Sequence, residues 1–201
     1  MRHESTEGQG SIIPRAFAFA CAVHRDQFRK GTQIPYITHP MAVAALVGEF
    51  GGTETQIAAA LLHDTVEDGE GFKTLSELQE VFGDRVADLV HMCSDAFVHP
   101  KPPWRERKEQ YIEQTKTLPP EAKLIIAADK LHNASTTLRD MRTDGNAVWE
   151  RFNGGREGSL WVYDEMLRSL SQDWQHPILA HLADVVDALH RAAGDAGAKH
   201  G

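Results

Sequence analysis

The chain has 201 residues, with 21 Lys plus Arg against 29 Asp plus Glu, a formal net charge of −8 with histidine neutral. That length suits one domain or two small ones, and 41% hydrophobic with 25% charged residues is a globular composition, not a disordered or fibrous one. The acidic balance argues against a protein that coats nucleic acid, because such binding is driven by Lys and Arg on phosphates, but it leaves room for a small phosphorylated ligand in a local basic pocket.

The first ten residues, MRHESTEGQG, are polar and hold no apolar signal core. No apolar run approaches the ~20 residues that span a bilayer, so no membrane element is expected. Cys21 and Cys93 form no CxxC or zinc spacing, which reads as a reduced, cytoplasmic setting. Strand signals are poor and helical periodicity is pervasive. The pattern predicts a helix over 13–28, with Pro14 in its first turn. A loop covers 29–36, and Pro40 opens a second helix that runs to about Glu49. A third helix covers 54–67, with the apolar centre Ile57 to Leu62. Thr74 and Glu77 have capping-box spacing for a fourth, which Gly83 ends, and another runs over 84–92. After the irregular connector His99 to Pro103, helices are expected over 104–117, 120–140, 147–152, 158–172 and 177–193. The sum is an all-α domain of nine or ten helices over 12–195, with 1–11 and 196–201 as frayed tails.

The chemistry concentrates at the end of the most apolar helix, in His63-Asp64-Thr65-Val66-Glu67-Asp68. Charges avoid burial unless paired or bound to metal. If the helix continues, His63 and Glu67, and Asp64 and Asp68, lie on neighbouring stripes of one surface. Imidazole with carboxylate and no thiolate suits Mn, Fe, Zn, Ni or Co and disfavours a structural zinc site. His39 stands at a helix start before Pro40, and Asp129 follows the apolar run Ile125 to Ala128. A simple pairing of Asp129 with Lys130 is a poor explanation for that acid, since adjacent residues of a helix point apart.

These residues resemble the HD-domain metal-dependent phosphohydrolases, and more narrowly the small alarmone hydrolases related to the hydrolase half of bacterial stringent-response enzymes. Residues His24 to Lys30 match that group's H-x-x-Q-x-R-K, and Pro35 to Pro40 its P-Y-x-x-H-P. Ala60 to Asp68 match A-L-L-H-D-T-V-E-D in full, Phe82 to Val86 match F-G-x-x-V, and Ala128 to Asn133 match A-D-K-L-x-N. The resemblance implies an all-α HD-domain bundle. It implies one divalent ion, Mn²⁺ in this group, on His39, His63, Asp64 and Asp129. Glu67 and Asp68 would position and deprotonate water. Arg29 and Lys30 would clamp phosphates, Asn133 would touch the nucleotide, and Tyr163, in preference to Trp161, would stack on the base. His24 would support the pocket or contact the substrate. Hydrolysis of the 3′-pyrophosphate of a purine alarmone such as ppGpp or pppGpp is the activity implied. Adenosine alarmones, other nucleotides and NADPH are alternative substrates. A non-catalytic nucleotide sensor and a module with a structural metal are alternatives of another class.

The remaining histidines, 3, 91, 99, 132, 176, 181, 190 and 200, have no place in that pattern. Arg105, Arg107 and Lys108 alternate with acids and read as a solvated helix face. The connector 99–104 and the loop 150–157 depart from the group's motifs and are expected to border the pocket. The partner implied is a small purine nucleotide, with no nucleic acid or membrane, and oligomeric state is not legible.

Overall fold

A helix that is apolar on every side has to sit at the centre of a bundle, and two segments of this chain meet that condition. The computed structural model describes residues 10–98 and 100–198, with side chains to residue 194. Among these are ten α-helices: α1 (Ile13–Val23), α2 (Thr38–Glu49), α3 (Glu54–Leu62), α4 (Thr65–Asp68), α5 (Phe72–Phe82), α6 (Asp84–Cys93), α7 (Trp104–Thr115), α8 (Pro120–Asp144), α9 (Gly155–Leu170) and α10 (Pro177–Ala198). A 3₁₀ helix, Gly145–Arg151, joins α8 to the loop before α9. Extended pairing among the described residues is limited to one isolated bridge, Phe28 to Pro35. The all-α expectation holds. No helix among the described residues is long and apolar enough to cross a membrane. His3, His99, His200 and most of the expected tails over 1–11 and 196–201 lie outside the described residues.

In α3, Ala58, Ala59, Ala60 and Leu62 are fully buried, enclosed by α1, α2, α6 and α8. In α8, Ile125, Ala127 and Ala128 are equally inaccessible, between α2, α6, α9 and α10. Each fully buried Leu or Ile stabilises the fold by roughly 1.5–3 kcal/mol. The two best-buried helices therefore form the rigid floor on which His63 and Asp129 are mounted.

The expected boundaries are corrected where side chains or tertiary pairing compete with the helix. The first helix stops at Val23 rather than residue 28. Beyond it the chain turns into a small hairpin, in which Arg29 N–H donates to Ile34 O at 2.8 Å and Tyr36 N–H to Gln27 O at 2.9 Å. The third helix ends at Leu62 and restarts as the single turn α4. There the His63 ring takes Ala60 O at 2.8 Å and the Thr65 hydroxyl donates to Leu62 O at 2.6 Å. Side-chain donors have taken carbonyls that a continuous helix would give to its own N–H groups. Thr74 does not cap α5. It lies inside the helix and accepts from Glu70 N–H at 2.9 Å, whereas Thr53 and Gln56 form a full capping box at the start of α3.

Candidate active site

The break after α3 puts His63 and Asp64 on a turn, so both side chains face the same cavity instead of following a helical spiral. His39 reaches it from the first turn of α2, and Asp129 from the middle of α8. The ligand atoms of His39, His63 and Asp129 all lie within 4.8 Å of one another. His39 Nε2 is 3.1 Å from Asp129 Oδ1 and 3.4 Å from Asp64 Oδ2. Asp64 Oδ2 is also 3.2 Å from His63 Nε2 and accepts a hydrogen bond from the Tyr36 hydroxyl at 2.7 Å. Tyr36 belongs to a matched motif, but its support of Asp64 was not foreseen from sequence.

One buried atom shows that the donor set suits a cation. His63 Nδ1–H donates to Ala60 O at 2.8 Å. A carbonyl only accepts, so the neutral ring keeps a lone pair on Nε2. That nitrogen is buried with no hydrogen-bond partner and faces Asp64 and Asp129 oxygens at 3.2 and 3.8 Å. A lone pair opposed to two carboxylates is relieved only by positive charge between them. Two imidazoles and two carboxylates supply that charge with the N and O ligands a divalent first-row ion prefers. Without an ion, protons take that part. Burial opposes the His63 imidazolium, but Asp64 and Asp129 outweigh it and hold its pKa well above the ordinary value. Burial likewise opposes the charge of both acids. His63 and His39 nonetheless hold Asp64 well below the usual range, and Lys130 with the two histidines does so for Asp129.

Lys130 corrects one expectation outright: its Nζ does pair with Asp129 Oδ2, at 2.6 Å, because a four-carbon stem can curl back along its own helix. The two roles of Asp129 coexist on different oxygens, since Oδ1 faces His39 and accepts from Asn133 Nδ2 at 2.5 Å. Asn133 Oδ1 in turn accepts from Arg29 Nη2 at 2.7 Å. A chain of contacts thus links the first hairpin to the centre.

Glu67 and Asp68 lie beside the cluster on α4. Glu67 Oε1 accepts from Asp95 N–H at 2.9 Å, and Lys101 Nζ donates to Oε2 at 3.3 Å. Burial, then the charges of Asp95 and Asp64, push the Glu67 carboxyl up to about 7. Burial and Asp64 raise Asp68 as well. Arg107 and Lys108 both pair with Asp95, whose side chain is 2% exposed while theirs are 11% and 21% exposed. The expectation of a solvated face is therefore wrong for these two. At i, i+3 and i+4, Trp104, Arg107 and Lys108 share the side of α7 that lines the cavity. Arg105 points away and stacks on Trp161, 3.4 Å from its ring centroid.

The cavity encloses about 740 Å³, enough for a nucleotide. Arg29, Lys30, Asn133 and Tyr163 line it. Lys30 is held below its ordinary pKa by burial and by Lys108 and Lys101, so the cations crowd one wall. His24 and Trp161 are not on the wall. His24 is 2% exposed, hydrogen-bonded to Gln27 Oε1 at 2.6 Å and packed behind Tyr36. The connector and the loop that depart from the motifs do border the cavity, through Lys101 and Trp104 and through Arg151 to Gly154. They also meet each other. A Cβ on Gly154 or Gly158 would fall 2.5 or 2.9 Å from the Trp104 ring, so only glycine there lets the ring seat. His132, given no role from sequence, bonds to His39 through its ring at 2.7 Å.

A family model described as HD domain matches residues 16–160. The chain is 45% identical over 144 residues to the guanosine-3′,5′-bis(diphosphate) 3′-pyrophosphohydrolase MESH1 of Mus musculus, covering 70% of this chain and 75% of that protein. It is 34% identical over 136 residues to a probable enzyme of the same name from Synechocystis, covering 66% of this chain and 18% of that longer protein. A solved structure titled as a metazoan ortholog of SpoT that hydrolyzes ppGpp superposes with a TM-score of 0.72 at 26% identity, over 94% of this chain and 99% of that one.

Proposed function

The chain belongs to the HD-domain family, and we propose that it is a metal-dependent hydrolase that removes the 3′-pyrophosphate of a purine alarmone, (p)ppGpp, leaving GDP or GTP. The observation that carries this reading is the convergence of His39, His63, Asp64 and Asp129 at one end of a cavity whose other wall is cationic. The names of relatives at 34% and 45% identity state the same reaction. A single domain over 12–195 holding one Mn²⁺ is part of the proposal. When bound, the ion supplies positive charge for the phosphoryl oxygens and acidifies water beside it.

The protein's own groups do the rest. Arg29 and Lys30 from the hairpin, with Arg107 and Lys108 from α7, neutralise and orient the substrate phosphates, Arg by its planar fork and Lys as a point charge. Water adds to the phosphorus next to the 3′-oxygen and the 3′-O–P bond breaks, so that the 3′-oxygen leaves and takes up a proton as the hydroxyl of GDP or GTP while the water oxygen is carried off in pyrophosphate. Glu67, with Asp68 beside it, accepts the proton that water loses. Burial pushes the Glu67 carboxyl up to about 7 in the metal-free protein, and a bound dication beside it would favour the ionised form that a base needs. Asn133 holds Arg29 and Asp129 in register, and Tyr163 offers an aromatic wall to the base. The presence of both water-activating acids beside the ligands favours turnover over mere sensing.

The decisive experiment is metal analysis of the purified protein followed by pyrophosphate release with added Mn²⁺. The substrates ppGpp, ppApp and NADPH are assayed side by side. Release from ppGpp in preference to the others is expected. No release from any of them, with metal bound, would overturn the reading.

A further inference from the structure

His132 lines the cavity beside the metal ligands. His39 Nδ1 and His132 Nδ1 are 2.7 Å apart. That contact plus the two ring radii accounts for a centroid separation of 4.9 Å, and the ring planes differ by 29°. The imidazoles therefore meet edge to edge, nitrogen to nitrogen, in the geometry of a true N–H···N hydrogen bond. Two acceptor nitrogens cannot share it, so one ring must donate.

Which ring donates follows from the other side of His39. Its Nε2 faces Asp129 Oδ1 and Asp64 Oδ2 at 3.1 and 3.4 Å. If Nε2 serves as a ligand, the neutral ring carries its proton on Nδ1. His132 must then accept with a bare Nδ1. The ring of His39 is 1% exposed, and among the described residues its Nδ1 has no partner but His132. Packing confines the ring, but only a partner at Nδ1 selects which of its nitrogens carries the proton. His63 meets the same requirement with a backbone carbonyl, Ala60 O.

We propose that His132 is a positioning residue for the metal centre: by accepting the Nδ1 proton of His39 it fixes the tautomer and ring orientation that present Nε2 to the ion. This rests on the metal reading above. Partners of this kind are typically worth 10–100-fold in metal affinity.

The test is Mn²⁺ affinity by calorimetry, without substrate, on the whole protein and on two variants. His132→Phe keeps an aromatic ring of similar size and removes the acceptor. His132→Gln keeps an acceptor oxygen near the same place. The phenylalanine variant is expected to bind Mn²⁺ about 10- to 100-fold more weakly, with the glutamine variant recovering part of the loss. The metal-free melting temperatures are expected to stay close to the parent's. Equal Mn²⁺ affinity in the parent and His132→Phe would overturn the proposal, and so would equal losses in both variants. Failure of the parent to bind Mn²⁺ or any other divalent ion would instead sink the underlying metal reading.

Discussion

Glu67 makes the metal-free protein's stability depend on pH in a direction unusual for a carboxylate. Burial and the charges of Asp95 and Asp64 push it up to about 7 in the folded state, against an ordinary 4.5. A raised folded value means that the native state binds the proton more tightly than the unfolded chain. The associated stability is complete below about 4.5 and is lost as pH rises through about 7. Integrating the linkage between pH 6 and 8 gives a loss of about 1.3 kcal/mol from this one group. For a domain of this size that corresponds to about 3–5 °C in Tm. The assay is thermal melting of chelator-treated protein at pH 6, 7 and 8, for the parent and for Glu67→Gln. His63, also raised, adds slope of the same sign to both proteins, so the difference between them isolates Glu67. The parent should lose the additional 3–5 °C that the glutamine variant does not. Added Mn²⁺ should shrink the difference, because a nearby dication favours the carboxylate. Parallel pH slopes in the two metal-free proteins would refute the reasoning.

Asp64→Ala should lose bound metal and pyrophosphate release together, and metal retention with residual turnover would contradict its place at the centre. Glu67→Gln should lower turnover by about 10²–10⁴-fold while metal and nucleotide still bind. Loss of metal in that variant would make Glu67 a ligand. Gly31 has φ +70°, and a Cβ there would fall 2.7 Å from Arg151 Nε. Gly31→Ala should therefore cost about 1–2 kcal/mol and displace the hairpin carrying Arg29 and Lys30. It is expected to raise KM while leaving Mn²⁺ affinity unchanged, and an unaltered KM would show that the hairpin does not grip substrate. Asp95→Asn leaves Arg107 and Lys108 without their buried counter-charge and should cost about 3 kcal/mol. A urea midpoint equal to the parent's would count against that network.

The sequence by itself determined the fold class and singled out the histidines and acids that the structure gathers around one cavity. The apolar runs Ile57 to Leu62 in α3 and Ile125 to Ala128 in α8 stand out in the sequence, and both are almost wholly buried, because burial on all sides leaves room for no polar stripe. Charges set directly at the ends of those runs, His63-Asp64 and Asp129, could be read as functional because unpaired burial of charge is costly. Interruptions within a helical pattern were not legible. The stop at Leu62 depends on a ring and a hydroxyl seizing carbonyls, and the stop at Val23 depends on pairing with residues 34–36. Neither leaves a trace in periodicity. The tertiary structure also decided which polar residues line the cavity. Arg107 and Lys108 alternate with acids exactly as a solvated face does, and only the packing of α7 shows them turned inward onto Asp95. His132 looked like any other histidine until α2 and α8 were brought together. The distances that matter here join residues up to 104 positions apart, and a pattern of local spacing carries no information about contacts made across the bundle.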